Sequence, residues 1–384
     1  MNRSPIVCPF CPLNCDDLTV AANGQTDSDC PIAEQGFSFA MAAPPAPRIG
    51  SDPASPDDVH RLASTWFAKQ DRVRIATAST PLSTSRTLAT MVADSRIELF
   101  VDETPSQSAL RTAVARDGNV SATLGDVKKH ADLIWTIGDV SGQMPRLWQR
   151  LSRSPSSGDL TTDRSGPTPA RLSHASMGAN QFADIAFAIR SGSTPDASQA
   201  DLIQSIQSAG YLAIILAPDA FDAGQELTTA EWIVKWTIQQ NQKQESRSRR
   251  VVLVGMDAAT TLRSVVGWHT NQRLTATMTN VDIRLGNAIA GAQPAKLQIG
   301  GVDPGPELAH AYVPAGIAGV HHPDAIIRGD ATVTLPLDRC VETRPAELPN
   351  SIIQPSAQSM DSSFTGRTVR PDVFLKSLFA VKLA

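Results

Sequence analysis

Four cysteines near the start of the chain have the type and spacing of metal ligands. Cys8, Cys11, Cys15 and Cys30 follow the pattern C-x2-C-x3-C-x14-C and are four of the chain's five cysteines. Thiolates this close together can turn toward one point, and the last would arrive on the return arm of a short hairpin. That arrangement suits a [4Fe-4S] cluster. Tetrahedral zinc and thiols without any metal are the two other interpretations.

The elements around these cysteines are predicted to form a small β-rich module over residues 1–45. A strand over 17–22 leads into Asn23-Gly24, a strong signal for a tight hairpin turn, and the return arm reaches Cys30. Pro44-Pro45-Ala46-Pro47 then interrupts the pattern and predicts a linker. The cysteines are therefore expected on a module ahead of the main body.

Behind this linker, helices and strands are predicted to alternate, which favours an α/β fold with doubly wound, mostly parallel sheets. Ser55 is expected to cap a helix that runs to about Gln70, with Pro56 at its first position. The other predicted elements are strands over 72–78, 97–102, 133–138, 211–217, 251–255 and 332–337, and helices over 84–94 and 228–240.

The predicted body divides into three consecutive segments after the cysteine-rich module. A first α/β domain is expected over 46–200, a second over 201–330, and a C-terminal segment over 331–384 that packs back on the body. The polar stretches 152–168 and 240–248 are predicted to be loops.

Ligands in α/β folds lie at the carboxyl ends of the strands. The expected rim of a ligand site is therefore made by the loops after Ala78, Asp102, Gly138, Ala217 and Gly255. No G-x-G-x-x-G or G-x4-G-K-[ST] motif follows a predicted strand, which argues against an ordinary dinucleotide site or P-loop.

Charge and hydropathy exclude several classes of partner. The formal net charge of −4 gives no reason to expect nucleic-acid binding, and the basic run Arg247 to Arg250 is interpreted as a solvated loop. The longest apolar run, 211–217, is far too short to span a membrane. No secretory signal precedes the cysteines, so a cytoplasmic protein is expected.

The order of several motifs resembles that in the B subunit of formylmethanofuran dehydrogenase, a member of the molybdopterin oxidoreductase superfamily. The resemblance implies sheets of the molybdopterin-oxidoreductase type and an iron–sulfur site at the four cysteines. It rests on C-P-F-C-P-L-N-C-D-D at 8–17, V-D-E-T-P-S at 101–106, A-D-L-I-W at 131–135, L-G-N-A at 285–288, Q-I-G-G-V-D at 298–303, and S-I-I-Q-P to M-D over 351–361.

The departures from that family concern its redox centre. In the dehydrogenase, the segment after V-D-x-T-x-S carries a cysteine that ligates tungsten or molybdenum, followed by a histidine, whereas this chain has Ser108 and Ala109. A hydroxyl is a poor substitute for a soft thiolate, and alanine cannot exchange a proton. The segment between Gly319 and Val333 also lacks the loop that helps to hold the pterin nucleotide. No catalytic or pterin-binding residue is therefore assigned, and molybdopterin is not expected.

With these departures the chain resembles the B subunit of the bacterial formyltransferase/hydrolase complex, which lacks the tungstopterin. The resemblance implies a scaffold in methanofuran- and tetrahydromethanopterin-linked one-carbon metabolism (formaldehyde oxidation). Its implied partners are the other subunits, especially the amidohydrolase-like A subunit and the C subunit. One alternative is a redox-active dehydrogenase subunit with a [4Fe-4S] cluster and a molybdo- or tungstopterin, using Ser108 as an oxygen ligand. Another is a zinc-ribbon binding module fused to an α/β domain.

Other candidate residues receive structural interpretations. His321 and His322 would point to opposite faces of an extended segment and have no evident third ligand, so a loop is favoured over a metal pair. His174 is expected to be a satisfied structural residue. Trp232 and Trp236 share one face of a predicted helix, which favours packing in the core or at a subunit interface.

Overall fold

In a computed structural model, the protein consists of two compact units. Unit 1 comprises residues 1–102 and 258–384, and unit 2 comprises 103–257. These bounds differ from the four consecutive segments expected from the sequence, because the chain leaves unit 1 after Asp102 and returns to it at Ala258. The structure describes residues 5–152, 168–192, 197–242, 249–276, 281–287, 293–340, 364–365 and 368–380.

Helices and strands alternate along most of the described chain. The helices are α1 (Pro31–Met41), α2 (Pro56–Phe67), α3 (Leu82–Ala93), α4 (Pro105–Asp117), α5 (Leu124–His130), α6 (Val140–Gln143), α7 (Leu147–Leu151), α8 (Ala179–Ser191), α9 (Ala197–Ser208), α10 (Glu226–Gln240), α11 (Thr260–Thr270) and α12 (Pro371–Ala380). The strands are β1 (Arg48–Ile49), β2 (Asp52–Pro53), β3 (Val73–Thr77), β4 (Ile97–Val101), β5 (Leu133–Ile137), β6 (Ala170–His174), β7 (Tyr211–Leu216), β8 (Arg250–Gly255), β9 (Thr275–Ala276), β10 (Val281–Leu285), β11 (Ala295–Ile299), β12 (Ala309–Val313), β13 (Asp324–Ile327), β14 (Thr334–Leu337), β15 (Phe364–Thr365) and β16 (Thr368–Val369).

Unit 1 is built on an eight-stranded sheet in the order β2-β1-β12-β11-β10-β3-β4-β9. Neighbouring strands from β12 to β9 are parallel, whereas β1 runs antiparallel to both β12 and β2. Helices α2, α3, α11 and α12 contribute to one apolar core with the sheet, around fully buried residues such as Val59, Leu88, Leu262 and Leu375.

The start of α2 follows local sequence chemistry. The Ser55 hydroxyl accepts a hydrogen bond from the Asp58 backbone N–H at 3.1 Å, and the Asp58 carboxylate accepts one from the Ser55 N–H at 3.3 Å. This is a capping box with Pro56 at the first helical position. The predicted cap is confirmed, although the helix ends at Phe67 rather than near Gln70.

Unit 2 contains a four-stranded sheet in the order β6-β5-β7-β8, and every neighbouring pair is parallel. Its central strands β5 and β7 are buried along their whole length, as expected for strands covered on both faces. Helices α4, α8, α9 and α10 share an apolar core with them. The predicted α/β class with mostly parallel sheets is confirmed in both units.

The last predicted strand does not extend a parallel sheet. Residues 334–337 form β14, which pairs antiparallel with β13 in a separate two-stranded ladder. Leu337 and Ile326 pack there with Val7 and Ala318 in a small satellite core, so tertiary packing overrides the expected alternation.

Some predicted segments cannot be compared with the structure. The loops over 152–168 and 240–248 lie outside the described residues apart from their ends, as does all of 351–361. Among the residues that are described, no helix combines the length and apolar character needed to cross a membrane.

Candidate functional site

The first three cysteines lie on one tight loop of unit 1. The Cys8 backbone N–H donates to the Cys15 carbonyl at 2.8 Å, and the Asn14 N–H donates to the Cys11 carbonyl at 3.1 Å. Asn14 has a φ of 43°, a left-handed conformation that asparagine tolerates better than most residues. Its buried side chain also donates to the Cys8 carbonyl at 3.2 Å. The backbone thus brings three cysteines onto a single turn.

The predicted turn at Asn23-Gly24 is present. The Gly24 N–H donates to the Ala21 carbonyl at 3.0 Å, and Gly24 has a φ of 85°, which favours glycine. The strand predicted over 17–22 is reduced to isolated antiparallel bridges at Leu18 and Val20. The chain therefore makes the expected reversal with less regular strand structure than the β-rich module required.

Helix α1 follows Cys30 directly and was not predicted. Cys30 is its N-cap and Pro31 its first residue, a position that proline favours, so the Cys30-Pro31 pair was a usable sequence signal. Phe37 is fully buried and meets the Phe10 ring edge-on at 4.9 Å. A Cβ on Gly36 would lie only 2.5 Å from that ring. The Phe10–Phe37 contact thus joins α1 to the cysteine loop within residues 5–41, here called the cysteine module.

The four thiols are close enough to influence one another electrostatically. Cys8, Cys15 and Cys30 are buried and Cys11 is half-buried. Burial raises the pKa of the Cys8 thiol, a backbone hydrogen bond from Phe10 opposes the rise, and the other three thiols add to it.

The four cysteines are the donor residues that a four-thiolate centre needs, but their side chains are not arranged to form one. Within the described residues, no three His, Cys, Asp or Glu side chains are placed to hold a metal ion. The ligand roles of Cys8, Cys11, Cys15 and Cys30 therefore remain a prediction.

His321 fastens the end of the cysteine module to a nearby loop. Its Nδ1 accepts a hydrogen bond from the Ile317 backbone N–H at 2.8 Å, so its Nε2 carries the proton and donates to the Ala40 carbonyl at 3.0 Å. Both ring nitrogens are therefore engaged by the backbone. This geometry agrees with the structural interpretation of the histidine pair.

Ser108 lies on the first turns of α4 in unit 2, beside an ion pair. The Glu103 carboxylate is almost fully enclosed and pairs with the Arg111 guanidinium. Arg111 also donates to the Ser108 hydroxyl at 3.5 Å. Because arginine is a permanent donor, it cannot act as the base that would activate this hydroxyl. Residues 103–111 are called the α4 start below.

Ala109 belongs to the apolar core of unit 2. It is 7% exposed and packs in the cluster that contains Ala113 and Ile233. Ala109 is therefore in contact with apolar side chains and does not face a reacting group. The α4 start therefore offers neither a soft metal ligand nor a proton carrier at Ser108 and Ala109.

The carboxyl edge of the unit 1 sheet contains an enclosed ion pair that sequence reasoning missed. Arg284 on β10 donates from Nε to Asp102 at 3.1 Å, and neither side chain is more than 2% exposed. Arg284 also donates from Nη1 to the Gln293 carbonyl at 2.8 Å. A basic residue inside the apolar strand pattern V-D-I-R-L was the available signal.

The N-terminus of α3 is engaged by a carboxylate of the same unit. Asp324 accepts a hydrogen bond from the Ser83 backbone N–H at 3.1 Å and another from the Ser83 hydroxyl. A helix N-terminus after a parallel strand is where α/β folds bind phosphate groups. Asp324 satisfies this N–H and repels a further anion there. No local sequence pattern predicted the contact.

The predicted rim does not belong to one sheet. The loops after Ala78 and Asp102 follow strands β3 and β4 of unit 1, whereas those after Gly138, Ala217 and Gly255 follow strands of unit 2. The five loops of the predicted rim therefore follow strands of two sheets.

Comparison with known proteins identifies a fold. No protein-family model matches the chain, and no curated protein matches it. Among solved structures, it is similar to a chain of the formyltransferase/hydrolase complex FhcABCD from Methylorubrum extorquens, in a crystal structure with methylofuran. The match covers 88% of this chain and 100% of that chain, with a TM-score of 0.60 and 14% sequence identity. The two chains share a fold.

Proposed function

We propose that this chain is the B subunit of a formyltransferase/hydrolase complex in methanofuran- and tetrahydromethanopterin-linked one-carbon metabolism. It acts there as a scaffold and carries no redox catalysis of its own. The proposal is supported by fold similarity to a chain of such a complex over nearly the whole of both chains. The order of motifs along the sequence supports the same family and sheets of the molybdopterin-oxidoreductase type.

The observation that carries the proposal is the environment of the α4 start. Ser108 stands where the dehydrogenase has its metal-ligating cysteine, and its hydroxyl faces the Arg111 guanidinium. The cation is a permanent donor that cannot serve as the base for this hydroxyl, and it would repel a metal ion. Ala109, at the following position, is enclosed in the apolar core. Asp324 at the start of α3 likewise opposes a bound phosphate.

The cysteine module has a structural role in this proposal. The four cysteines are the donor residues of a [4Fe-4S] cluster, with zinc or no metal as the alternatives, although their side chains are not placed to hold a metal in this structure. Without a pterin, no electron needs to pass through such a cluster. The module would then serve to fasten the N-terminal loop to the body.

Elemental analysis of anaerobically purified full-length protein tests the absence of redox chemistry. We expect the protein to contain no molybdenum or tungsten. If the cysteines hold a cluster, the protein should contain iron and absorb light at about 400 nm. Stoichiometric molybdenum or tungsten would overturn the proposal in favour of a redox-active dehydrogenase subunit. Zinc alone would mean that the cysteines hold zinc and not an iron–sulfur cluster. The proposed absence of redox catalysis would still stand.

Co-expression tests the scaffold role separately. The chain is produced together with the amidohydrolase-like A subunit and the C subunit of the same kind of complex, and the mixture is analysed by size-exclusion chromatography with light scattering. We expect a stable hetero-oligomer whose formation does not change in the Ser108→Ala variant. A chain that stays monomeric beside both partners would exclude scaffolding.

A further inference from the structure

The connection between β11 and β12 of unit 1 contains no helix. It consists of residues 300–308, all of which the structure describes, and it joins two neighbouring parallel strands. Parallel neighbours ordinarily need a crossover of about a dozen residues or more, most often a helix that covers one face of the sheet. Residues 300–308, here called the β11–β12 loop, therefore form a thin layer where this type of fold usually has a helix.

The loop lies on the face of the sheet that is opposite the main apolar core of unit 1. Leu297 on β11 belongs to that core, together with residues of α2, α3, α11 and α12. Gln298, the next residue, therefore points to the opposite face. Its amide donates from Nε2 to the carbonyls of Gly300 at 3.0 Å and Val302 at 2.8 Å. The first part of the loop is thus bonded down onto this face.

Buried side chains fix the loop in one conformation. The Tyr312 hydroxyl donates to the Gly301 carbonyl at 2.8 Å. The buried Arg48 guanidinium donates from Nε to one carboxylate oxygen of Asp303 at 2.8 Å and from Nη2 to the other at 2.6 Å. A partner that binds the loop therefore does not have to order it, which lowers the entropic cost of binding.

The loop turns apolar side chains toward solvent. Four apolar residues occupy alternate positions along it: Val302, Pro304, Pro306 and Leu308. The first of them is 55% exposed and the last is 42% exposed. Asp303 turns the other way, to Arg48. Residues 302–308 span at most about 20 Å, so the loop presents an ordered apolar ridge of that length.

The charge of the loop indicates the charge of its partner. Asp303 is neutralised by Arg48, whereas Glu307 is exposed and forms no ion pair with another described residue. Glu307 directly precedes the exposed Leu308. A cationic side chain beside an apolar surface on the partner would therefore complement this end of the loop.

We infer that the β11–β12 loop binds an amphipathic helix of a partner protein. The apolar face of that helix covers Val302 and Leu308, and a lysine or arginine beside this face pairs with Glu307. A helix of about 13 residues is about 20 Å long, which matches the ridge. The bound helix lies where α/β folds usually have a crossover helix of their own. The proposed function assigns no binding surface to the chain, and the binding of such a helix does not depend on it.

Fluorescence anisotropy on the full-length protein tests the inference. The probe is a fluorescein-labelled peptide, L-K-K-L-L-K-L-L-K-K-L-L-K-L, whose leucines share one face when it is helical. One control is a scrambled peptide of the same composition without such a face, and the other has glutamate in place of every lysine. We expect the probe to bind about tenfold more tightly than either control. Equal binding of the probe and either control would overturn the inference.

A matched pair of leucine variants locates the apolar contact. Leu308→Ser should weaken binding of the probe about fivefold. Leu227→Ser is the control, because Leu227 is 47% exposed on α10 of unit 2, and its affinity should stay at the wild-type level. If Leu308→Ser binds the probe as the wild type does, the loop is not the site.

A matched pair of charge reversals locates the ionic contact. Glu307→Lys should weaken binding of the probe about fivefold, and the loss should shrink as ionic strength rises. Asp201→Lys makes the same change in net charge at an exposed acid on α9 of unit 2 and should leave the affinity almost unchanged. Equal losses in the two variants would mean that only the overall charge of the protein attracts the probe, which contradicts the pairing with Glu307.

A second copy of the chain is the other occupant that the ridge could meet. Size-exclusion chromatography with light scattering compares the wild type with Leu308→Ser. We expect the two proteins to have the same mass. A wild-type dimer that Leu308→Ser converts to a monomer would assign the loop to self-association and overturn the inference.

Discussion

The cysteine module and the α4 start differ in what surrounds their candidate ligands. In the module, backbone hydrogen bonds of Cys8 and Asn14 place three thiols on one turn, with apolar side chains beneath. At the α4 start, the Ser108 hydroxyl faces a guanidinium that is itself paired with Glu103. A full set of four thiol donors in the cysteine module therefore does not imply metal chemistry at the α4 start. The neighbours of a candidate ligand decide whether it can act.

The largest expected effect comes from removing the buried ring of Phe37 in the cysteine module. Phe37→Ala deletes a fully buried ring that contacts Phe10, and it should cost about 3–5 kcal/mol of stability in that region. Differential scanning calorimetry measures the loss. Phe39→Ala, on the same helix but 38% exposed, is the control and should cost less than about 1 kcal/mol. Equal losses would show that the buried Phe37 ring does not stabilise the cysteine module.

The second effect tests whether the α4 start depends on its ion pair. Arg111→Ala leaves the enclosed Glu103 carboxylate without its cation and should cost about 3 kcal/mol. Replacing both residues by leucine should cost much less, because no buried charge then remains. Urea denaturation of the single and double variants measures the two values. A double variant as unstable as Arg111→Ala would mean that packing, not charge, holds this segment.

The third effect is a pH dependence of the cysteine module. Burial lowers the pKa of His321, and nearby His322 and Arg339 lower it further, against opposing hydrogen bonds from the backbone. The unfolded chain therefore takes up the proton first as pH falls. The contribution of neutral His321 is present above about pH 6.5 and is lost as pH falls toward the lowered folded-state value.

Thermal melting across this pH interval checks the sign. The wild type should lose more stability on acidification than His321→Gln, which cannot titrate. The same change at His269, an exposed residue of α11, should leave the wild-type pH dependence in place. A wild-type profile that matches His321→Gln would show that this histidine does not link proton uptake to folding.

The smallest effect comes from placing a thiol at the α4 start. Ser108→Cys should change stability by less than about 1 kcal/mol, since the site is half-buried and the side chains are similar in size. The variant should still bind no molybdenum or tungsten by elemental analysis, because the Arg111 cation and the buried Ala109 remain. Uptake of either metal would mean that the side chain at position 108 alone decides whether the α4 start binds a metal.

Local features of the fold were predictable from sequence, and distant pairings were not. The cap at Ser55 and the turn at Asn23-Gly24 depend on neighbouring residues, so the sequence indicated both. Strands β3, β4, β5, β7 and β8 were expected within one or two residues of their bounds. The unit boundary at Asp102 was not predicted, since it depends on pairing with strands much later in the chain.

The candidate sites follow the same rule. The spacing of the cysteines and the presence of serine at position 108 were visible in the sequence. The Glu103–Arg111 pair, the Asp324 contact with α3 and the Arg284–Asp102 pair were not, because they join residues that no local pattern relates.

The order of the strands in unit 1 has a consequence for synthesis on the ribosome. β3 and β10 are neighbours in the sheet, yet Arg74 and Asp282, which bond to each other there, are 208 residues apart. The four strands of unit 2 pair within a much shorter span, so that unit can complete its sheet first. Until β10 emerges, one edge of β3 stays unpaired, and this nascent edge is where a chaperone would have the most to protect.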